Sequence, residues 1–197
     1  RRFRVHFTPT FALPGGYKYS NKPGGIRHWI LHADPPVDEG FICLIDPDML
    51  LLRPITTQLR YGLAARQKRG RKKQVEYVDS NGTARLLRKA GLPELSDVVR
   101  KGSPAGQHFG VGGSWVSTPN PRRPAWQNFS KSFVCGTDSA CTRTSRSEAD
   151  ERYAVGPVYL ASREDWFLLA DKWWEFVPRV HSQYPFLLAE MMAYTMS

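Results

Sequence analysis

Cysteine and long apolar stretches are both scarce in this sequence. Only three cysteines occur among 197 residues, and no histidine or further cysteine lies near Cys135 and Cys141 to complete a tetrahedral zinc set. No run of about 18 apolar residues occurs, so the sequence offers no candidate membrane-spanning helix. Internal repeats and low-complexity tracts are also absent. Aromatic residues nevertheless make up 12% of the chain, which favours an ordered domain with a packed core.

Acidic residues are outnumbered by basic ones, 18 against 28, which gives a formal net charge of +10. Much of the excess is concentrated in the run RQKRGRKK at 66–73. Such a run can bind nucleic acid or acidic surfaces. However, like charges repel and keep the segment extended, and the run contains no aromatic residue on which bases could stack. A solvated loop is therefore the favoured interpretation, and nucleic acid is not expected as a partner.

Two closely spaced cysteines indicate the cellular compartment in which the protein folds. Cys135 and Cys141 flank the short loop GTDSA, which predicts a small disulfide in an oxidising environment. Two N-x-[ST] sequons, at 81–83 and 128–130, also favour the secretory lumen. The sequence starts with RRFR rather than an initiator Met and stops inside an apolar run. We therefore expect part of a longer protein, truncated at both ends, with any membrane anchor outside this stretch.

Apolar spacing predicts strands and helices within one domain, 1–197. A strand is expected at 5–11, followed by a helix with Asn21 as its N-cap and Pro23 at its first helical position. The spacing of Ile26, Trp29, Ile30 and Ala33 predicts one apolar face on this helix. The run FICLI at 41–45 is typical of a strand buried on both faces of a parallel sheet, with Cys43 in the core.

The rest of the chain continues this pattern. Residues 64–101 are interpreted as a basic insert or variable region, and residues 112–150 as an irregular loop region. The order of elements favours an α/β fold. Further strands are predicted at 107–111 and 155–160, and further helices at 163–177 and 186–196.

The sharpest chemical feature is the triplet Asp46-Pro47-Asp48, directly after the predicted buried strand. Side chains two apart on an extended backbone share a face, so both carboxylates could point at one ion. Ligands bind at the carboxyl ends of strands in open α/β sheets. Paired carboxylates suit Mg²⁺ or Mn²⁺, which then bridge substrate phosphates. The alternative is that an aspartate caps the next turn; the apolar run before the triplet favours the metal site.

Four blocks of this sequence resemble the hydroxyproline O-arabinosyltransferases and the related peptidyl serine galactosyltransferases. The blocks occur in the family's order and together span most of the chain. They are YSNKPGGIRHW at 19–29, FICLIDPDMLLLRPI at 41–55, GPVYLASRED at 156–165 and LAEMMAY at 188–194.

The resemblance implies a GT-A-type fold, a Rossmann-like mixed sheet flanked by helices, with one active-site cleft. It implies that Asp46 and Asp48 bind Mn²⁺ or Mg²⁺ and that Gly156 lies in a loop which lets the donor sugar approach the backbone. Glu190 would match the acidic catalytic position near the donor sugar and the acceptor. Lys22, with Asn21 beside it, would contact the diphosphate of a UDP-sugar.

The resemblance also implies the reaction. The chain would transfer arabinofuranose or galactose from the UDP-sugar to hydroxyproline or serine hydroxyls of secreted or cell-wall proteins. The enzyme would work in the Golgi or ER lumen, anchored to the membrane by segments outside this chain. His108 and Trp115 are candidates for the acceptor site.

Each assignment has a structural alternative. An unpaired charge on the apolar helix at 186–196 is costly, so Glu190 either has a partner or faces a cleft. Lys22 could be a first-turn surface residue, and His108 and Trp115 could serve packing or a loop. Three other functions also stay open: a basic nucleic-acid-binding module that uses residues 66–73, another metal-dependent phosphoryl or nucleotidyl transferase, and a sugar-binding module without catalysis.

Overall fold

The computed structural model describes the residues 4–51, 54–58, 75–78, 83–86, 98–109, 113–116 and 128–197. The basic run 66–73 lies outside them. The described residues form a mixed α/β domain with a small antiparallel sheet. The strands of the domain are β1 (Phe41–Leu44), β2 (Val75–Val78), β3 (Thr83–Leu86), β4 (Ala105–His108) and β5 (Val155–Ser162); β2 and β3 pair only with each other. The α-helices are α1 (Asn21–His32), α2 (Lys131–Cys135), α3 (Ala140–Arg143), α4 (Arg146–Glu148), α5 (Arg163–Gln183) and α6 (Ala189–Met196). Shorter 3-10 or π-helical turns occupy Lys18–Ser20, Ser114–Val116 and Ala149–Tyr153.

The sheet that positions the later elements has the strand order β1-β5-β4, and both pairings are antiparallel. β1 therefore lies at an edge of the described sheet, with Cys43 opposite Leu160. The expectation of a parallel strand buried on both faces is wrong for 41–45. Burial alternates along β1: Ile42 is buried, whereas Phe41 and the free thiol of Cys43 are exposed.

The physical reason is that α5 covers only one face of β1. The indole Nε1 of Trp166 on α5 donates to the carbonyl oxygen of Ile42 over 2.9 Å. The outward residues of β1 line an open apolar groove together with Leu51 and Ile55. An apolar run alone does not distinguish one covered face from two, because both arrangements accept the same side chains.

Helix α1 begins at Asn21, the residue that the sequence predicted as its cap. Ser20 is the N-cap, and Asn21 already has helical dihedral angles. The side chain of Asn21 instead accepts a hydrogen bond from the backbone N–H of Phe11 over 2.6 Å. No strand forms at 5–11. The predicted apolar face is confirmed: Ile30 is buried, and Ile26, Trp29 and Ala33 pack against the core.

The C-terminal helices are shifted relative to their predictions. α5 continues through Pro178 to Gln183 rather than ending at residue 177. Val177 and Val180 are both fully buried, and their packing maintains the helix across the proline. α6 starts at Ala189 instead of residue 186, because Phe186 and Leu187 lie exposed in the preceding turn.

The remaining predictions have mixed outcomes. β4 begins two residues before its predicted range of 107–111 and ends at His108, and β5 covers its predicted range and extends to Ser162. The disulfide between Cys135 and Cys141 is confirmed. It links α2 and α3 within the region predicted to be irregular, which in fact contains three short helices between residues 131 and 148.

The core is built around aromatic side chains from β5, α5 and α6. Tyr159 stacks on Tyr194 with ring centroids 3.7 Å apart, and Trp173 meets both rings edge-on. Trp173 and Tyr194 are buried, whereas Trp174 is only partly buried. This aromatic layer packs α6 against β5 and α5, and Trp173 also donates to the carbonyl of Glu190 at the start of α6.

Candidate functional site

Three charged side chains from distant parts of the chain meet at one point. The Nζ of Lys22 lies 3.0 Å from Oδ1 of Asp46 and 2.9 Å from Oε1 of Glu190. Lys22 is the second residue of α1, Asp46 follows β1, and Glu190 is the second residue of α6. We call these three residues the Lys22 cluster. With one ammonium and two carboxylates, its formal charge is −1.

Helix α5 explains why the three segments converge. α1 and α6 both pack against α5, and β5, which leads into α5, pairs with β1. The packing against α5 therefore brings the three segments that carry the cluster close together. Two of the residues that were recognised from the sequence for different reasons, Lys22 and Glu190, form a direct ion pair.

Both the backbone N–H and the backbone carbonyl of Glu190 form hydrogen bonds with aromatic side chains. Its N–H donates to the hydroxyl of Tyr17 over 2.9 Å, and its carbonyl accepts from Nε1 of Trp173 over 2.7 Å. The Tyr17 hydroxyl in turn donates to the carbonyl of Leu187. Sequence reasoning missed Tyr17 as a positioning residue. A tyrosine next to the block at 19–29 was the available signal, but its partner lies more than 170 positions away.

Burial sets the electrostatics of the Lys22 cluster. The Glu190 side chain is only 6% exposed, against 24% for Lys22 and 25% for Asp46. Burial raises the pKa of Glu190 above its usual range; Lys22 opposes this rise and Asp46 adds to it. Burial alone would lower the pKa of Lys22, but the charges and hydrogen bonds of Glu190 and Asp46 outweigh it, so the pKa is raised. Lys22 therefore stays an ammonium ion.

Two buried oxygen atoms near this cluster have no hydrogen-bond partner among the described residues: Oε2 of Glu190 and the hydroxyl of Tyr159. Burial, followed by the charges of Glu190, Tyr194 and Asp46, raises the pKa of Tyr159, so the hydroxyl keeps its proton. Buried polar atoms are nearly always satisfied, and an exception calls for a water, an ion or a ligand group. Both oxygens are thus candidates to contact a bound molecule. Tyr159 was not identified from the sequence, although it lies in the block at 156–165.

The triplet Asp46-Pro47-Asp48 does not have the extended backbone that the sequence analysis assumed. The N–H of Met49 donates to the carbonyl of Asp46 over 3.1 Å, and the chain turns at Pro47 and Asp48. Proline and aspartate are favoured in such turns. Asp46 is partly buried and directed to Lys22, whereas Asp48 is exposed. The two carboxylates are therefore related by a turn, and the shared-face argument for an extended strand is wrong.

Gly156 lies inside β5, not in the loop that the resemblance implies. It is buried opposite Gln107 of β4. A Cβ at this position would lie 2.9 Å from Cε of Met191 and 2.9 Å from Cβ of Phe109. The glycine therefore permits close packing of β5 against α6, one residue from Glu190.

We expect Gly156→Ala to lower the free energy of unfolding by about 1–3 kcal/mol, because the added methyl group overpacks the contact with Met191 and Phe109. Denaturant unfolding measures the change. Gly40→Ala is the control, since a Cβ there meets nothing within 4 Å. Equal stability of the two variants would contradict the packing role.

The remaining candidates are less close to the cluster. Asn21 uses its side chain to hold Phe11. Trp115 is 3% exposed and donates from Nε1 to Oγ1 of Thr195, which makes it part of the core. His108 is exposed at the end of β4, opposite Val155. Neither Trp115 nor His108 contributes a contact that holds the Lys22 cluster.

No three histidine, cysteine, aspartate or glutamate side chains of the described residues form a ready-made metal site. No helix in the described part of the chain is both long enough and apolar enough to cross a membrane. No family model matches the sequence, and neither a curated protein nor a solved structure matches it.

Proposed function

We propose that this chain is the catalytic core of a metal-assisted glycosyltransferase with a GT-A-type Rossmann-like fold. It would transfer a sugar from a UDP-sugar to hydroxyproline or serine hydroxyls of proteins in the Golgi or ER lumen. The resemblance of the four sequence blocks supplies the donor and acceptor classes. The disulfide between Cys135 and Cys141 agrees with an oxidising compartment.

The observation that carries the proposal is the Lys22 cluster itself. The resemblance implies that Lys22 contacts the diphosphate, that Asp46 binds a metal ion and that Glu190 lies near the reacting groups. Their side chains meet within 3.0 Å of one nitrogen atom. Carboxylates that can hold a cation, next to an ammonium group that can contact phosphate oxygens, suit a nucleotide diphosphate and its metal ion.

The residues fit a hard divalent cation. Asp46 is accessible from solvent and Asp48, in the same turn, is exposed, so both offer carboxylate oxygens without unfolding the site. The buried Oε2 of Glu190 lacks a partner within the described structure, which is consistent with a bound group beside it. Two protein carboxylates, completed by substrate phosphates and water, are a common arrangement for Mg²⁺.

The roles of the side chains follow from their chemistry. A bound divalent cation would neutralise the diphosphate leaving group. Asp46 and Asp48 would hold that ion, and the ammonium of Lys22 would contact the phosphate oxygens. Glu190, buried and with a raised pKa, would orient the reacting hydroxyl and accept its proton more readily than an ordinary glutamate.

We expect Asp48→Ala to reduce sugar transfer by at least about 100-fold, because the variant loses a cation ligand whose charge assists the leaving group. The fold should remain intact, since Asp48 is exposed. The assay uses the full-length protein, a panel of UDP-sugars with and without Mn²⁺, and hydroxyproline-rich and serine-rich peptides. Asp38→Ala is the matched control, an exposed aspartate in the loop before β1.

The outcomes separate the candidate functions. Metal-dependent transfer of a sugar that is lost in Asp48→Ala supports the proposal. Full metal-dependent transfer in that variant would refute this metal site. Release of phosphate or transfer of a nucleotidyl group without sugar transfer would assign the site to a phosphoryl or nucleotidyl transferase instead.

A further inference from the structure

The ammonium group of Lys22 lies between two carboxylates, and both stabilise its positive charge. It contacts Asp46 and Glu190 at the same time. A lysine ammonium group is a compact positive charge. The cluster therefore already contains a counter-ion of its own, and an added cation must compete with it for Asp46.

The geometry points to an exchangeable counter-ion: we propose that Lys22 competes with a divalent cation for Asp46 until a nucleotide diphosphate accepts its ammonium group. This inference rests on the proposed function and adds a coupling between the two ligands. Without the diphosphate, metal binding requires Lys22 to give up a partner. With the diphosphate, Lys22 gains anionic oxygens in exchange. Metal and nucleotide consequently bind with positive cooperativity.

The exposures of the three side chains support an exchange on one side of the cluster. Lys22 and Asp46 are each about one quarter exposed, whereas Glu190 is almost completely buried. The contact between Lys22 and Asp46 is therefore the more accessible of the two, and it can open without exposing Glu190. Glu190, fixed through its backbone by Tyr17 and Trp173, remains in place as the ammonium group moves.

The flexible stem of lysine suits this role. A lysine ammonium group is a compact charge on four methylene groups and donates in several directions. Arginine, with a planar fork, would hold both carboxylates more rigidly. Lys22 also lies in the first turn of α1, which contains no acidic residue. Its own helix therefore offers no carboxylate there to pair with the ammonium group.

The test is Mn²⁺ binding to the full-length protein, measured by titration calorimetry with MnCl₂ alone and with saturating UDP. In the wild type we expect UDP to tighten Mn²⁺ binding by at least about 10-fold. In Lys22→Met we expect Mn²⁺ alone to bind about 10-fold more tightly than to the wild type, and the effect of UDP to shrink by a similar factor. Neither readout depends on catalysis.

Removing Lys22 leaves Glu190 buried and unpaired, so a second variant guards against misfolding. Lys22→Met/Glu190→Gln removes both partners and should fold, because matched loss of a buried pair is tolerated better than loss of one member. It should show the same weakened coupling between UDP and Mn²⁺. Arg27→Met is the control. Arg27 lies elsewhere on α1 and forms an exposed ion pair with Asp171 of α5.

The results distinguish this inference from the proposed function. If Mn²⁺ binding depends on Asp48 but neither the affinity for Mn²⁺ alone nor the UDP effect changes in the Lys22 variants, the exchange is wrong and the metal site stands. A loss of thermal stability without a change in coupling would also overturn the exchange, because Lys22 would then form a purely structural ion pair. If wild-type protein binds neither Mn²⁺ nor UDP, both proposals fail.

Discussion

Replacing Trp173 with alanine is expected to lower the free energy of unfolding by about 3–5 kcal/mol. The side chain is fully buried and makes edge-on contacts with the rings of Tyr159 and Tyr194. Its Nε1 also donates to the carbonyl of Glu190, so the substitution leaves both a cavity and a buried acceptor without its donor. Denaturant unfolding followed by circular dichroism measures the loss.

The adjacent Trp174 provides the control for this substitution. It is only partly buried and contacts Phe11 edge-on, so Trp174→Ala should cost less than half as much as Trp173→Ala. Trp173→Phe separates packing from hydrogen bonding, because it keeps a large ring and removes the donor to Glu190. Equal losses for the two alanine variants would contradict the central position assigned to Trp173.

Replacing Glu190 with glutamine is expected to reduce sugar transfer by at least about 100-fold with the fold retained. The substitution preserves the shape of the side chain but removes its negative charge and its ability to accept a proton. The amide can still accept from Lys22, so the packing at the start of α6 should persist. Initial rates at saturating UDP-sugar, Mn²⁺ and acceptor peptide measure the effect.

The control for Glu190→Gln is Glu175→Gln on α5. Glu175 forms ion pairs with Lys172 and Arg179 at the surface, away from the Lys22 cluster, and its loss should leave transfer within about twofold of the wild type. Transfer by Glu190→Gln at wild-type rate would exclude a catalytic role for Glu190. A fall in thermal stability that accounts for the lost rate would make Glu190 a structural residue instead.

Much of the local structure was predictable because it depends on neighbours in sequence. The apolar positions at 26, 29, 30 and 33 predict the buried face of α1, and the spacing of Cys135 and Cys141 predicts their disulfide. The strand at 155–160 and the helix that follows it were also predicted in type. Their ends were not, because Val177 and Val180 maintain α5 through Pro178 by packing that only the tertiary structure supplies.

The candidate site was likewise predicted only in part from the sequence. Lys22, Asp46 and Glu190 were identified from their blocks, yet nothing local to any of them indicates that one ammonium group contacts both carboxylates. The turn at Asp46-Pro47-Asp48 was considered only as an alternative, because the apolar run before it favoured an extended strand. Gly156 was assigned to a donor loop, whereas contacts with Met191 and Phe109 explain why that position lacks a side chain.

The sequence by itself determined which residues can carry charge, form a disulfide or line an apolar helix face, since these properties belong to residue types and short spacings. Only the tertiary structure decided that β1 lies antiparallel at an edge, that Cys43 faces solvent, and that Glu190 is buried against Lys22. The reason is that burial, pKa and ion pairing depend on which segments pack together. That packing is governed here by α5, to which α1, β5 and α6 all attach.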